Sequence, residues 1–269
     1  MKNIIKLLLG LSFVISASAE QDLFGQRTQP TGLVGNLFNL KKTYELEPTD
    51  IVDQNGKVNA RKFYQEYERL IKEGFSVKAM NKYAIADEMC NMEFLSIRGA
   101  SADIAPSSFG SSYIDPKGII MLYEGVIAKA PNKEFRFAGY FDDSIAVLVN
   151  GKLVFYSAWQ DLNNLKPKAV SKGRKAGSNT SVVYGDYIRL KKGDKVQVVL
   201  AEIPGGQVLG SLQVQLKTFR YKSEDQHGDP VLHPFVACKV DDDIEQKVSR
   251  SGIRYEMKRI PEFHFVIEE

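Results

Sequence analysis

The chain has 269 residues, and its 36 lysine and arginine residues against 33 aspartate and glutamate residues give a formal net charge of +3. This length is enough for one large domain with a full core, with or without a small appendage. The near-neutral charge gives no electrostatic reason to expect a nucleic-acid partner, because such binding depends on basic residues that neutralise many phosphates.

The first nineteen residues have the pattern of a signal peptide. Lys2 and Lys6 supply a positive start, residues 7–15 form an apolar run, and small residues at 17–19 suit a cleavage site. The apolar run is too short to span a membrane, which takes roughly 20 residues. The sequence therefore predicts that residues 1–19 are removed, and that the protein is exported to the periplasm or the cell exterior and is not an integral membrane protein.

The next segments predict a leader, a strand and a helix. Residues 20–31 are polar and predict a flexible leader, and residues 33–40 predict a first strand. A helix is expected at about residues 59–73, where Asn59 can cap its start and Gly74 can end it. Apolar and aromatic side chains recur along this helix at helical spacing, which favours packing against a sheet over a ligand site.

From residue 119 onward, one short strand follows another. The predicted strands are residues 119–128, 134–141, 145–149, 153–156, 187–190, 195–203 and 207–219. Short strands separated by glycine-containing turns are typical of a β-sandwich or barrel. The sequence therefore predicts an all-β dominated fold, an antiparallel β-sandwich with a small helical insertion.

The most informative segment is residues 135–155, which read FRFAGYFDDSIAVLVNGKLVF. Two apolar strand patterns flank Asp142-Asp143, and Asn150-Gly151 precedes a third strand. Asn-Gly predicts a two-residue type I′ hairpin turn, because both of its positions need a positive φ. We expect the acidic pair at the tip of another hairpin, where adjacent carboxylates repel and must be offset by a cation or by hydrogen-bond donors.

This segment resembles the PA-fourteen domain, the β-sandwich named after anthrax protective antigen and found in many glycosidases, adhesins and bacterial surface proteins. Family members similarly carry an aromatic strand, Asp-Asp, and an apolar strand that ends before a glycine turn. Residues 187–215 extend the resemblance with a Gly-Asp turn, a strand that ends near a glutamate, and a glycine-rich turn. Residues 32–43 and 102–110 look like a bacterial branch of the family that carries a helical insertion.

The resemblance implies a division of the chain. A PA-fourteen-like β-sandwich would occupy residues 32–221, with the helical insertion near residues 59–110. Residues 222–269 would then form a C-terminal extension.

The resemblance also implies a ligand. In lectin members of the family the aspartate pair coordinates a calcium ion that in turn holds sugar hydroxyls, and carboxylate oxygens suit calcium. Asp142 and Asp143 are therefore candidate metal ligands and, with Asn150 and Trp159, candidate glycan-binding residues. The alternatives are structural: the aspartates accept from backbone amides and shape the turn, Asn150 serves its hairpin, and Trp159 packs in the core rather than stacking on a sugar.

The two cysteines, Cys90 and Cys238, invite one disulfide in an exported protein. Such a bond would tie the C-terminal extension to the sandwich. Two separate buried thiols are an equally good interpretation, because sequence does not show whether the side chains meet.

Catalysis has little support in the sequence. The histidines have no metal-ligand spacing and lie far along the chain, at His227, His233 and His264. No G-x-S-x-G nucleophile motif occurs. The sequence therefore predicts a non-catalytic module that binds a glycan; the alternative is a structural or assembly subunit of the cell envelope that contacts another protein through residues 222–269.

Overall fold

The structure is a computed structural model, and it describes residues 23–27, 32–158, 182–203, 205–225 and 228–266. Trp159 and the predicted signal peptide lie outside these residues. Two antiparallel sheets form the framework of the described chain, which confirms the predicted β-sandwich.

Strands outnumber helices in the described part of the chain. The strands are β1 (Leu33–Thr43), β2 (Tyr83–Ile85), β3 (Cys90–Met92), β4 (Ser96–Ser101), β5 (Ile119–Lys129), β6 (Phe135–Phe141), β7 (Ser144–Val149), β8 (Lys152–Ala158), β9 (Val183–Tyr184), β10 (Lys195–Glu202), β11 (Gln207–Leu216), β12 (His233–Pro234) and β13 (His264–Val266). The helices are α1 (Ala60–Lys72), α2 (Val77–Met80), α3 (Ile104–Ser108) and α4 (Asp242–Arg250). None of these described helices is long and apolar enough to cross a membrane.

The larger sheet has the strand order β2-β1-β5-β10-β7-β8, with β3 also paired to β1 and β13 to β5. The smaller sheet has the order β12-β11-β6-β9, with β4 also paired to β11. Side chains of a strand alternate between its two faces, so β6 buries Phe135, Phe137 and Phe141 between the sheets while Arg136 lies on the outer face. These phenylalanines belong to the main core.

Helix α1 covers the outer face of the larger sheet, as its helical periodicity predicts. The Asn59 side chain accepts from the Lys62 amide at 3.1 Å and caps its start. Phe63, Tyr67 and Leu70 are fully buried in a second core against the larger sheet. The molecule therefore has three layers at this point: the helix, the larger sheet and the smaller sheet.

The prediction that Asp142-Asp143 forms a hairpin tip was wrong. Strand β6 lies in the smaller sheet and β7 in the larger one. The acidic pair is therefore the connection by which the chain crosses from one sheet to the other. The sequence pattern is the same whether the two strands pair with each other in a hairpin or belong to different sheets.

Both ends of the described chain are integrated into the sandwich. Phe24, in the predicted flexible leader (residues 20–31), is fully buried in the main core, and its carbonyl accepts from the Tyr123 hydroxyl at 2.6 Å. In the predicted extension, β12 pairs with β11 and β13 pairs with β5. Phe235 and Phe263 join the main core. Large buried aromatic side chains hold both segments in place.

Of the two interpretations of Cys90 and Cys238, the structure agrees with the second: they are two separate buried thiols and form no disulfide with each other. Cys90 lies in the main core and donates to the Ser108 carbonyl at 2.8 Å. Cys238 lies in a different, smaller core together with Ile244 of helix α4. The two thiols thus belong to separate packed clusters.

Candidate functional site

The register of the larger sheet brings a third carboxyl group to the acidic pair. Ser144 of β7 pairs with Ala201 of β10, so the preceding residue, Asp143, comes beside the following residue, Glu202. The peptide bond between Asp142 and Asp143 is cis. The three side chains Asp142, Asp143 and Glu202 form the acidic site.

The smaller sheet fixes the other side of the acidic site. Phe141, the residue before the pair, is opposite Gly210 of β11, and the Asp142 amide donates to the Leu209 carbonyl at 2.9 Å. The Phe141 ring lies against Gly210, where an added Cβ would come within 2.3 Å of its Cδ2 atom. The absence of a side chain at Gly210 therefore lets the Phe141 ring lie where it does.

Two of the three carboxyl groups point into the protein. Asp143 is 4% exposed and Glu202 is 2% exposed, whereas Asp142 is half-buried. Asp143 Oδ2 accepts from the Ile203 amide at 2.7 Å, and Glu202 Oε1 accepts from the Gly205 amide at 3.0 Å. Asp143 thus makes the backbone contact that the structural alternative predicts for it.

Burial controls the protonation of this site. It is the main reason that the pKa of Asp143 is raised to about 7 and that of Glu202 to about 9. The charge of Asp142 raises both values further, and the amides that donate to the two groups partly oppose the effect. A side-chain hydrogen bond joins Asp143 to Glu202. The buried pair therefore holds a proton at neutral pH.

Tyrosines of helix α1 close the site from the side of the second core. Burial and the nearby Asp143 charge raise the pKa of Tyr64. Ser144, directly after the acidic pair, donates to the Tyr67 hydroxyl at 3.3 Å. Neither Glu202 nor these tyrosines were among the predicted site residues. The sequence does place a glutamate at the end of a predicted strand, but only the pairing of β10 with β7 brings it to the aspartates.

Asn150 does not join the acidic site. It lies at the opposite end of β7, about 20 Å away along a strand of this length. Asn150 and Gly151 have φ angles of 50° and 74°, as the predicted hairpin turn requires. The Asn150 side-chain amide donates to Asp194 Oδ1 at 2.9 Å, and its side-chain oxygen accepts from the Lys195 amide at 2.9 Å. These contacts give Asn150 a structural role at this turn.

Within the described ranges, no group of three or more histidine, cysteine, aspartate and glutamate side chains is placed to hold a metal ion. A cation at Asp142 and Asp143 would therefore take its remaining ligands from other kinds of oxygen. Calcium accepts such ligands, because main-chain carbonyls and water complete many of its sites.

No family model and no curated protein matches the chain. Among solved structures, a PA14 sugar-binding domain from an RTX adhesin is 14% identical with a TM-score of 0.39, over 78% of this chain and 99% of that one. The epithelial adhesin 6 A domain from Candida glabrata, in complex with Galb1-3GlcNAc, is 14% identical with a TM-score of 0.41, over 80% and 91%. An anti-sigma factor domain-containing protein from Clostridium clariflavum is 11% identical with a TM-score of 0.37, over 82% and 50%. Similarities this low assign neither a family nor a function.

Proposed function

We propose that this protein is an exported, non-catalytic module that binds carbohydrate at the end of the sandwich that carries Asp142, Asp143 and Glu202. The observation that carries the proposal is the position of the Asp-Asp pair. It crosses between the two sheets, with Asp142 partly accessible above two buried carboxyl groups. The order of motifs around this pair resembles that of PA-fourteen lectins.

A catalytic role fits the same groups less well. A raised carboxyl pKa is typical of a general acid, but such a group must come within hydrogen-bond reach of its substrate. Asp143 and Glu202 are almost fully buried and accept from main-chain amides. Their environment suits the support of a binding site rather than proton transfer to a ligand.

Calcium is the ion that would suit the acidic site, because it prefers hard carboxylate oxygens. Asp142 and Asp143 would hold it, and main-chain carbonyls, water and sugar hydroxyls would supply further oxygens. The ion would offset the repulsion among the three carboxyl groups. Since the buried pair holds a proton at neutral pH, calcium would compete with that proton and bind more tightly as the pH rises.

In the alternative role, an assembly subunit of the cell envelope, residues 222–269 would be an interaction arm. Strands β12 and β13 and the buried Phe235 and Phe263 hold this segment in the sandwich instead. The described part of this segment is therefore packed into the sandwich and is not free to act as an arm.

A glycan array, probed in calcium and in chelator, tests the proposed function. We expect at least one neutral glycan to be bound in calcium only, and Asp142→Asn to lose that binding. Asp50→Asn, which alters an exposed aspartate, is the matched control and should bind as the parent does. Absence of binding to every glycan in both buffers would overturn the proposal. Binding that Asp142→Asn retains would place the site elsewhere.

A further inference from the structure

The outer surface of the smaller sheet carries an extended row of polar and aromatic side chains. After β9, Ile188 forms a bridge with Phe135 through hydrogen bonds of 2.7 and 3.0 Å, and Leu190 is buried. Side chains along such a segment alternate between the core and the outside. Tyr187, Arg189 and Lys191 are accordingly exposed.

Neighbouring strands add two more cations to this row. The Arg136 guanidinium lies 4.3 Å from the ring centre of Tyr184 and 4.9 Å from that of Tyr187, and its Nε donates to Gln215 Oε1 at 2.7 Å. Lys217, just after β11, has its Nζ 5.6 Å from the Tyr187 ring centre. An exposed tyrosine is thus surrounded by positive charge.

We define the cationic face as Lys133, Arg136, Tyr187, Arg189, Lys191 and Lys217. Glu134 offsets part of its charge, because it pairs with Lys217 at 2.9 Å. Asp186 lies at one margin of the face, and Asp225 and Asp229 lie near Tyr184 at another. Lys133 and Lys191 are exposed and take part in no ion pair within the described residues. The two charged groups that lie against the Tyr187 ring, those of Arg136 and Lys217, are nevertheless both positive, although the chain as a whole is close to neutral.

We propose that the cationic face binds an acidic polysaccharide, a chain of sugar rings that carry carboxylate groups. The positive groups against Tyr187 favour an anion there, and planar guanidinium groups such as those of Arg136 and Arg189 pair with carboxylates through two parallel hydrogen bonds. The 39% exposed Tyr187 offers a flat apolar surface to the C–H side of a sugar ring.

The shape of the face also suits a polymer. Outward side chains at alternate positions of an extended segment are about 7 Å apart, as expected for Tyr187 and Arg189. Lys191 follows them at the turn before β10, so the three side chains are spread along the chain rather than clustered around one small anion. The row is about 20 Å from Asp142, the length of β6. The surface is therefore separate from the acidic site and does not depend on calcium.

Polygalacturonate, in chelator to exclude calcium bridges, is the probe for this proposal, with neutral dextran as the reference polymer. We expect polygalacturonate alone to bind, with an affinity that decreases as salt increases. Arg189→Glu and Tyr187→Ala should each raise the Kd at least tenfold. Arg61→Glu, on the exposed side of helix α1, makes the same charge change away from the face and should not raise it. Asp142→Asn should also bind normally.

Three results would overturn the proposal: no binding of polygalacturonate, equal binding by Arg189→Glu, or equally tight Arg189-dependent binding of duplex DNA or anionic lipid vesicles. This proposal and the proposed function can each be refuted without refuting the other. Loss of polygalacturonate binding leaves calcium-dependent recognition of neutral glycans untouched, and the converse also holds. Unchanged melting temperatures would show that Arg189→Glu and Tyr187→Ala remain folded, since both positions are exposed.

Discussion

The carboxyl groups of Asp143 and Glu202 are hydrogen-bonded to each other in the interior of the protein. A hydrogen bond between two carboxyl groups requires a proton on one of them. Both groups are buried and their negative charges would repel each other, and for these two reasons the proton remains bound at neutral pH. The pair therefore couples the stability of the fold to pH and to any cation that replaces the proton.

Stability should fall as the pH rises from neutral to alkaline. The folded pKa values, about 7 for Asp143 and about 9 for Glu202, lie above the ordinary values of about 4 in the unfolded chain. The folded state therefore binds more protons than the unfolded state does. The stability that the two protonated groups contribute is fully present below about pH 4 and is lost as the pH rises through about 9. Denaturant unfolding in chelator between pH 7 and 9 would measure this slope. Burial lowers the pKa of His233, so this residue should reduce the stability of the fold as the pH falls into the acidic range.

Glu202→Gln tests the origin of that slope. The substitution removes the charge and keeps a side-chain oxygen for the Gly205 amide. We expect a flatter dependence of the free energy of unfolding on pH, and greater stability than the parent at pH 9. Glu45→Gln, at an exposed position, is the control and should keep the parental slope. A slope that persists in Glu202→Gln would show that other groups cause it.

Features set by neighbours in the chain were predictable from the sequence. Asn59 caps α1, and Asn150-Gly151 forms a two-residue turn, because each depends on contacts within a few residues. The same holds for the alternating burial along β6.

Features set by distant pairing were not predictable. The sheet to which β7 belongs depends on the pairing of Ser144 with Ala201, and Glu202 reaches the acidic site through the same register. Strand β12 has two residues, too few for a periodic signal. A strand-like run near residues 263–267 does predict β13, but the sheet positions of β12 and β13 depend on partners far along the chain. The sequence therefore located the Asp-Asp pair but not its surroundings.

Gly210→Ala should destabilise the protein by about 1–3 kcal/mol, the usual effect of overpacking. The new methyl group would meet the Phe141 ring at 2.3 Å and displace the residue that precedes Asp142. Gly99→Ala in the neighbouring β4 is a matched control, because an added Cβ there meets nothing within 4 Å. Chemical unfolding of both variants measures the difference. Equal stability would mean that the Phe141 ring moves aside without strain.

The purified protein should contain two thiols that react only after unfolding. Both cysteines are buried, and burial raises the pKa of Cys238 to about 12, which keeps it protonated and unreactive. Thiol titration without reductant should therefore detect no reaction in the native state and two reactive groups in denaturant. Detection of no thiols in denaturant would instead demonstrate the disulfide.

Calcium should raise the melting temperature of the parent protein. An ion that binds only the folded state stabilises it by ~2.7 kcal/mol at about a hundredfold excess over Kd. The increment should be larger at pH 8 than at pH 6, because the proton shared by Asp143 and Glu202 opposes the cation. Thermal melts in calcium and in chelator at the two pH values measure it.

The double substitution Asp142→Asn with Asp143→Asn should abolish the calcium increment, since it removes two charges and keeps the side-chain shape. In chelator at pH 8, we expect the melting temperature of this variant to fall only slightly. The amide side chain that replaces Asp143 keeps an oxygen for the Ile203 amide and is no longer repelled by Glu202. Asp50→Asn should keep the full increment. If the parent melts identically in calcium and in chelator at both pH values, the aspartates are structural, and Asp143 serves only to hold the Ile203 amide at the crossing between the sheets.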